Sequence, residues 1–405
     1  MEFSTAALAS IVALAIVVII SCFKDVNVGI LGVAFGLAAG LGFAGMSIKQ
    51  IFNGWPLSLF MILVGVTFMF ACAQVNGTME KLTAYAVRTA KGNTALIPFI
   101  LWALVTIITT IGPGNIATTA LMAPVAMALA GRLGISAFAM TLLVVGAANG
   151  AAFSPFAPTG IISNGLIAKM APQLGIPAEA LDGLGWKVHF NSMVAQGVIN
   201  FGGFFLFGGL AWMRKQRGAA GVDIDEIAPK PEPFTAKQWA TIAGILFLVS
   251  TVILLKWDVG AVAFAIGAVF ILFGIADDSK AVKAMPWSVI VMVCGMTVLI
   301  NVMDQAGGLN ALVSMIADIS TPGTVTGVLA FITGLLSAYS SSSGVVMPMF
   351  LPMVPGLIQQ IGGGDPVGMI SSINVGSHIV DTSPLSTLGA LCIASAGEHE
   401  DKAKL

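Results

Sequence analysis

Two uncharged polar breaks interrupt an otherwise apolar chain: Ile111-Gly112-Pro113-Gly114-Asn115-Ile116-Ala117-Thr118-Thr119-Ala120, and Ala338-Tyr339-Ser340-Ser341-Ser342-Ser343-Gly344. Their groups are hydroxyls, one amide and bare backbone. Such groups ligate a cation through oxygen and hold a carboxylate through N–H. At membrane depth an unpaired backbone is tolerated only where it is buried in protein or lines a polar cavity, so each break is a candidate site. The alternative is a tight turn in the headgroup region joining two complete spans, and charge parity fits both readings. The lack of charge and the clustering of Asn115, Thr118, Thr119, Ser340, Ser341, Ser342 and Ser343 favour re-entrant hairpins whose turns meet in one site.

Two further breaks follow. Ser154-Pro155-Phe156-Ala157-Pro158-Thr159-Gly160 and Asp381-Thr382-Ser383-Pro384-Leu385-Ser386 place proline where a continuous helix would lose backbone bonds. An unwound helix exposes carbonyls to Na⁺, and a resuming helix N-terminus suits a carboxylate. Proline kinks at packing contacts are the alternative, and four symmetry-related breaks weigh against it. No Lys or Arg is expected within the first arm pair or either broken helix. An anion there relies on hydroxyls, the Asn115 amide, N–H groups and dipoles, which argues for co-bound cations. His378 and Asp381 lie on one helical face before the second break. Either Asp381 ligates a cation or takes up a proton with His378 as partner, or both reach the headgroup zone and are solvated.

The elements that position these breaks follow from composition. Hydrophobic residues form 57% of the chain and charged residues 9%, with long apolar runs throughout, which excludes a soluble core. The chain reads as an all-α polytopic membrane protein. A net charge of -1 without a basic stripe gives no nucleic-acid partner. The apolar N-terminus lacks a basic flank and reads as the first span, not a cleaved signal. Cys22, Cys72, Cys294 and Cys392 read as apolar packing residues, and His189 and His399 as loop or helix-end residues. No transition-metal spacing is present.

The first half, 1–213, comprises spans within 6–75, a hairpin at 94–131, a broken helix at 136–170 and a span at 186–213. A charged, proline-containing linker covers 214–237. The second half, 238–405, repeats the order with spans within 238–303, a hairpin at 322–361 and a broken helix at 367–396. Gly65, Thr67, Gly77 and Leu82 recur as Gly295, Thr297, Gly307 and Leu312 at constant spacing, and Pro124 recurs as Pro352. After Gly77 an amphipathic segment puts Lys81, Arg88 and Lys91 opposite Met79, Leu82 and Ala86, as suits a helix in the membrane interface. An outside N-terminus leaves only Lys49, Lys169, Lys187 and Lys256 of the 18 Lys and Arg outside, with the linker cytoplasmic. An odd number of crossings in the first half then makes the repeats inverted in topology. The second half lacks a counterpart of 186–213; either that helix is lost or the chain is truncated, and truncation is the expected reading.

Gly114-Asn115-Ile116-Ala117-Thr118-Thr119-Ala120-Leu121-Met122-Ala123-Pro124 resembles the Ser-Asn-Thr hairpin signature of the ion transporter superfamily, typified by divalent anion:sodium symporters. The style of Ser341-Ser342-Ser343-Gly344-Val345-Val346-Met347-Pro348 is similar to MatC-type malonate and C4-dicarboxylate carriers. Gly114 and Asn115 take the place of the first Ser-Asn, and Ile116 that of its Thr. Ser342, Ser343 and Gly344 take the second set. Thr382 and Pro384 resemble the second Thr-Pro break, with Ser383 between them, and Pro158 and Thr159 stand in reversed order at the first.

Residues and resemblance together give Asn115, Ile116, Thr118, Thr159, Ser342, Ser343, Gly344, Thr382, Ser383 and Pro384 as substrate-binding candidates. Gly112, Gly114, Asn115, Pro158, Ser340, Ser341, Ser343 and Asp381 are the cation-binding candidates, with Na⁺ at the hairpin tips. The resemblance implies an elevator-type homodimer in the inner (plasma) membrane. The expected activity is secondary active transport of a small dicarboxylate, malonate or a C4 acid, coupled to Na⁺ or H⁺, with no other cofactor. An exchanger or exporter of another small anion is the alternative. A channel would need a polar pore lining that the spans do not supply, and no catalytic constellation marks an enzyme.

Overall fold

A chain whose helices are apolar on every side gains little by burying them against one another in lipid, so close backbone contact must hold them. The computed structural model describes residues 4–24, 26–88, 94–216, 230–383 and 386–396. Lys91, the linker charges Arg217, Asp223, Asp225 and Glu226, Pro384 and Leu385, and the acidic tail with His399 lie outside them. Among the described residues the regular structure is helical with no strand. Six helices among the described residues are long and apolar enough to cross a membrane: Leu57–Val75, Gly114–Leu133, Ala178–Lys215, Ala236–Leu255, Trp287–Gln305 and Ser342–Ile361. Large side chains such as Leu206, Leu272 and Phe331 are exposed, as a lipid-facing surface requires.

The residues divide into two compact units, and each draws segments from both halves of the sequence. One comprises Met1–Leu63, Ile161–Val188 and Pro286–Val380; the other comprises Val64–Gly160, His189–Met285 and Asp381–Leu405. The first unit thus holds the second arm pair, the helix before the second break and most of the helix after the first. The second unit holds the first arm pair, the helix before the first break and the helix after the second.

Within the first unit, Val28–Gly42 packs closely along Trp287–Gln305. A Cβ on Gly295 would stand 2.1 Å from the Gly29 carbonyl oxygen, and one on Gly29 would stand 2.2 Å from that of Val291. Only glycine permits this approach. Asn27 caps the first of these helices through the Gly29 N–H at 3.0 Å and donates to the Ser288 carbonyl at 2.9 Å, locking the two ends together. Ser10 packs against Gly308, and Asn301 against Gly54.

Polar ties join helix ends in the second unit in the same way. Asn76 Nδ2 donates to Thr241 Oγ1 at 2.7 Å, Lys81 Nζ to Gln238 Oε1 at 3.0 Å, and Trp212 Nε1 to the Leu133 carbonyl at 2.6 Å. Cys72, Cys294 and Cys392 are fully buried.

One histidine departs from expectation. His189 is neither in a loop nor at a helix end: the helix begins at Leu181, and the ring sits well inside it, 5% exposed. The polar residues Asp182 and Lys187 that made this stretch look terminal lie on an exposed or half-exposed face. His189 instead shares a buried face with Ser192, Gln196 and Asn200.

Replacing Gly295 by Leu overpacks a backbone contact and should cost about 1–3 kcal/mol. Thermal unfolding of the detergent-purified protein checks this. The melting temperature falls for G295L and is unchanged for G131A, whose added Cβ meets nothing within 4 Å. Equal melting temperatures for G295L and wild type would contradict the close-packed seam.

Candidate substrate and cation site

The first break turns on glycine. Gly112 has φ 144° and Gly114 φ 85°, which no L side chain adopts without strain, and a Cβ at Gly112 would meet the Phe70 ring at 2.2 Å. The chain therefore reverses within three residues between arms Ile97–Ile111 and Gly114–Leu133. Asn115 follows at the start of the second arm, 8% exposed. Its Nδ2 donates to Asn149 Oδ1 at 2.9 Å, and its Oδ1 accepts from the Ile116 N–H at 3.0 Å. A carbonyl oxygen has two lone pairs, so one remains on Asn115 Oδ1 for a cation.

Thr118 and Thr119 are fully buried, and their hydroxyls make no hydrogen bond among the described residues. Ile116 is 41% exposed. The break in the following helix is tied to the same turn. Ser154 Oγ donates to the Thr110 carbonyl at 2.7 Å, and Pro158 packs against Gly114 with Cδ 3.1 Å from the position of an added Cβ. Thr159 is buried beside it.

The second break uses hydroxyls. Ser341 Oγ accepts from the Gly344 N–H at 3.1 Å and caps the second arm, which opens with a π-helical turn over Ser342–Val346. Gly344 is needed because Met292 Cγ stands 2.4 Å from an added Cβ. Ser342 Oγ lies 2.6 Å from Ser337 Oγ, which in turn donates to the Ser377 carbonyl. Ser340 is half-buried, and its hydroxyl has no partner among the described residues.

Ser343 Oγ lies 3.2 Å from His378 Nε2, and His378 is 1% exposed. His378 Nδ1 lies 2.9 Å from Ser377 Oγ and 3.1 Å from the Asn374 carbonyl, so both ring nitrogens have hydrogen-bond partners. Asn374 itself donates to Ser163 Oγ at 2.9 Å.

These two half-sites share one register. Asn115 bonds Asn149, and Ser343 bonds His378. Asn149 precedes Ser154 by the same interval as His378 precedes Ser383, and Ser154 precedes Gly160 as Ser383 precedes Gly389. Those glycines do the same work: an added Cβ would stand 1.9 Å from the Ser154 carbonyl oxygen and 2.1 Å from that of Ser383. The geometry therefore pairs Ser154-Pro155 with Ser383-Pro384. Pro384 itself lies outside the described residues. Thr382 and Ser383 are half-buried.

Asp381 is 8% exposed and accepts from Ser386 Oγ at 3.3 Å within the second unit, whereas His378 is clamped to the serine turn in the first. Three groups of polar residues had not been singled out from the sequence: Asn149, the Gly160 and Gly389 pair, and the buried stripe of Ser192, Gln196 and Asn200. Gln196 and Asn200 pack against Gly150 and Gly146 of the helix that carries Asn149. The repeated Ser-Pro…Gly spacing was the signal for the glycine pair.

One expectation fails. The resumed helix Pro158–Met170 contains a cation, Lys169, in its last turn, and the second arm Gly114–Leu133 contains Arg132 in its own last turn, so neither element is free of Lys and Arg.

Buried, uncharged turns clamped by polar residues on the next helix, among several helices of membrane-crossing length, mark a polytopic helical membrane protein. Residues 4–152 match the family model described as dicarboxylate carrier protein MatC N-terminus, a stretch that includes both Asn115 and Asn149. The match supports a MatC-type carrier. No curated protein matches the chain.

Asn149→Ala strands the buried Asn115 amide, and Ser343→Ala removes the His378 partner. Each should slow transport roughly tenfold or more, as expected when a buried polar group loses its partner. Uptake rates of the purified, monodisperse variants check this; wild-type rates in both would show the clamps to be dispensable.

Proposed function

We propose that the protein is a secondary active transporter of a small dicarboxylate, malonate or a C4 acid, coupled to Na⁺ or H⁺. The observation that carries this reading is the duplicated clamp, Asn115 to Asn149 and Ser343 to His378. Each clamp fixes a turn while leaving oxygen lone pairs unused, as a cation ligand requires. Around each turn lie helix N-termini whose N–H groups and dipoles favour a carboxylate. Neither turn carries a formal charge, so a dianion is better held when cations bind with it. Coupling follows from that electrostatic dependence.

In this reading the arm pairs are re-entrant hairpins of two inverted repeats, working as an elevator in a homodimer of the inner membrane with the N-terminus outside. Burial of Asn115, Thr118, Thr119 and Ser342 supports hairpins over headgroup turns, since a headgroup turn is solvated. Contacts within each unit support the topology. Charge placement puts Asn27 and Ser288 on one side, Ser10 and Gly308 on the other, and Asn76, Thr241, Leu133 and Trp212 with the linker; these sets meet accordingly.

Proteoliposomes with imposed Na⁺ or H⁺ gradients should accumulate radiolabelled malonate, succinate or fumarate. Absence of gradient-driven accumulation for all of them would sink the reading. Asp381→Asn should change the cation or pH dependence of uptake, and an unchanged profile would remove Asp381 from the coupling site.

A further inference from the structure

The first unit contains a cavity of about 690 Å³ between Pro158–Met170, Trp287–Gln305, Gly308–Asp318 and the second arm of the serine turn. Its lining includes Lys169, Thr297, Asn301, Asp304, Asn310 and Gln359. Pro348 and Pro352 form the wall on the side of the arm, so the cavity runs beside the helix that begins with Ser342 and Ser343. None of these lining residues belongs to the clamps described above.

Lys169 has no hydrogen-bond or carboxylate partner among the described residues, and Asp304 has no cationic one. Lys169 stands in the last turn of Pro158–Met170 and lines the cavity there. An unpaired cation with amide donors beside it is the chemistry that holds a carboxylate. At ~30 Å³ per water the cavity has room for roughly twenty waters, enough for a dianion that keeps part of its hydration shell.

We propose that this cavity is an access subsite for the dicarboxylate, in which Lys169 holds one carboxylate with help from the Asn301 and Asn310 amides. The proposal rests on the carrier reading above and adds a second binding position to it. Asp304 opposes the anion from the same lining and keeps the subsite weak, so the substrate moves on. Lys169, Asp304, Asn310 and Gln359 all fall on the side opposite the linker by charge placement, which makes this the external mouth during uptake.

The two charges give a test of sign. Initial rates of succinate and malonate uptake into proteoliposomes are measured for wild type, K169Q, K169R, D304N and K256Q, each checked for monodispersity. K169Q should raise KM roughly tenfold with little change in kcat, since one charge-assisted contact is lost. K169R should restore most of the affinity, and D304N should lower KM. The K169Q effect should shrink at high ionic strength. K256Q, an exposed lysine outside the cavity, should leave KM unchanged.

An unchanged KM in K169Q, an equal rise in K256Q, or a D304N variant altered only in its cation dependence would overturn the subsite. Calorimetric titration of the purified wild type with succinate and malonate separates the two failures. Binding without a Lys169 effect removes the subsite alone, whereas no binding and no uptake removes the carrier reading as well.

Discussion

A buried polar turn must find its hydrogen-bond partners inside the protein. The geometry around the two turns follows from how they meet that demand. At Asn115 the partner is an amide on the next helix; at Ser343 it is an imidazole in the same register. The following helix in turn stops within one turn of its clamp, at Ala151 and at Ile379. Glycine at 160 and 389 lets the resumed helix pass close to the freed carbonyl.

The chemistry on offer differs between the two turns although their geometry agrees. The first has an amide whose spare lone pair faces no N–H, together with two buried threonine hydroxyls. The second has a run of serines, one of which hydrogen-bonds a buried histidine. In the protonated ring Nε2 is the donor and Ser343 the acceptor. The serine turn is thus the one whose hydrogen bonding responds to a proton.

Much of the fold was legible in the sequence. The all-helical class and the presence of several membrane-length helices were expected from it, because long apolar runs punctuated by Gly, Pro and Ser leave little other choice. The pairing of tip and following helix was not legible. Asn149 looks like any polar residue in an alanine-rich helix, and only its distance from Asn115 gives it meaning. His378 was noticed as ionisable and placed with Asp381 on sequence proximity, while its bonded partner is distant in sequence at Ser343. His189 was read as a helix-end residue because the apolar run begins at Trp186, whereas the helix begins at Leu181.

Amide hydrogen exchange at the two turns tests the central claim most directly. The account predicts that succinate or malonate, added with the coupling cation, slows exchange over 114–119 and over 341–346 together, while the dicarboxylate alone does so weakly. Protection confined to regions away from both turns, or none at saturating ligand, would contradict the assignment of these turns as the binding site.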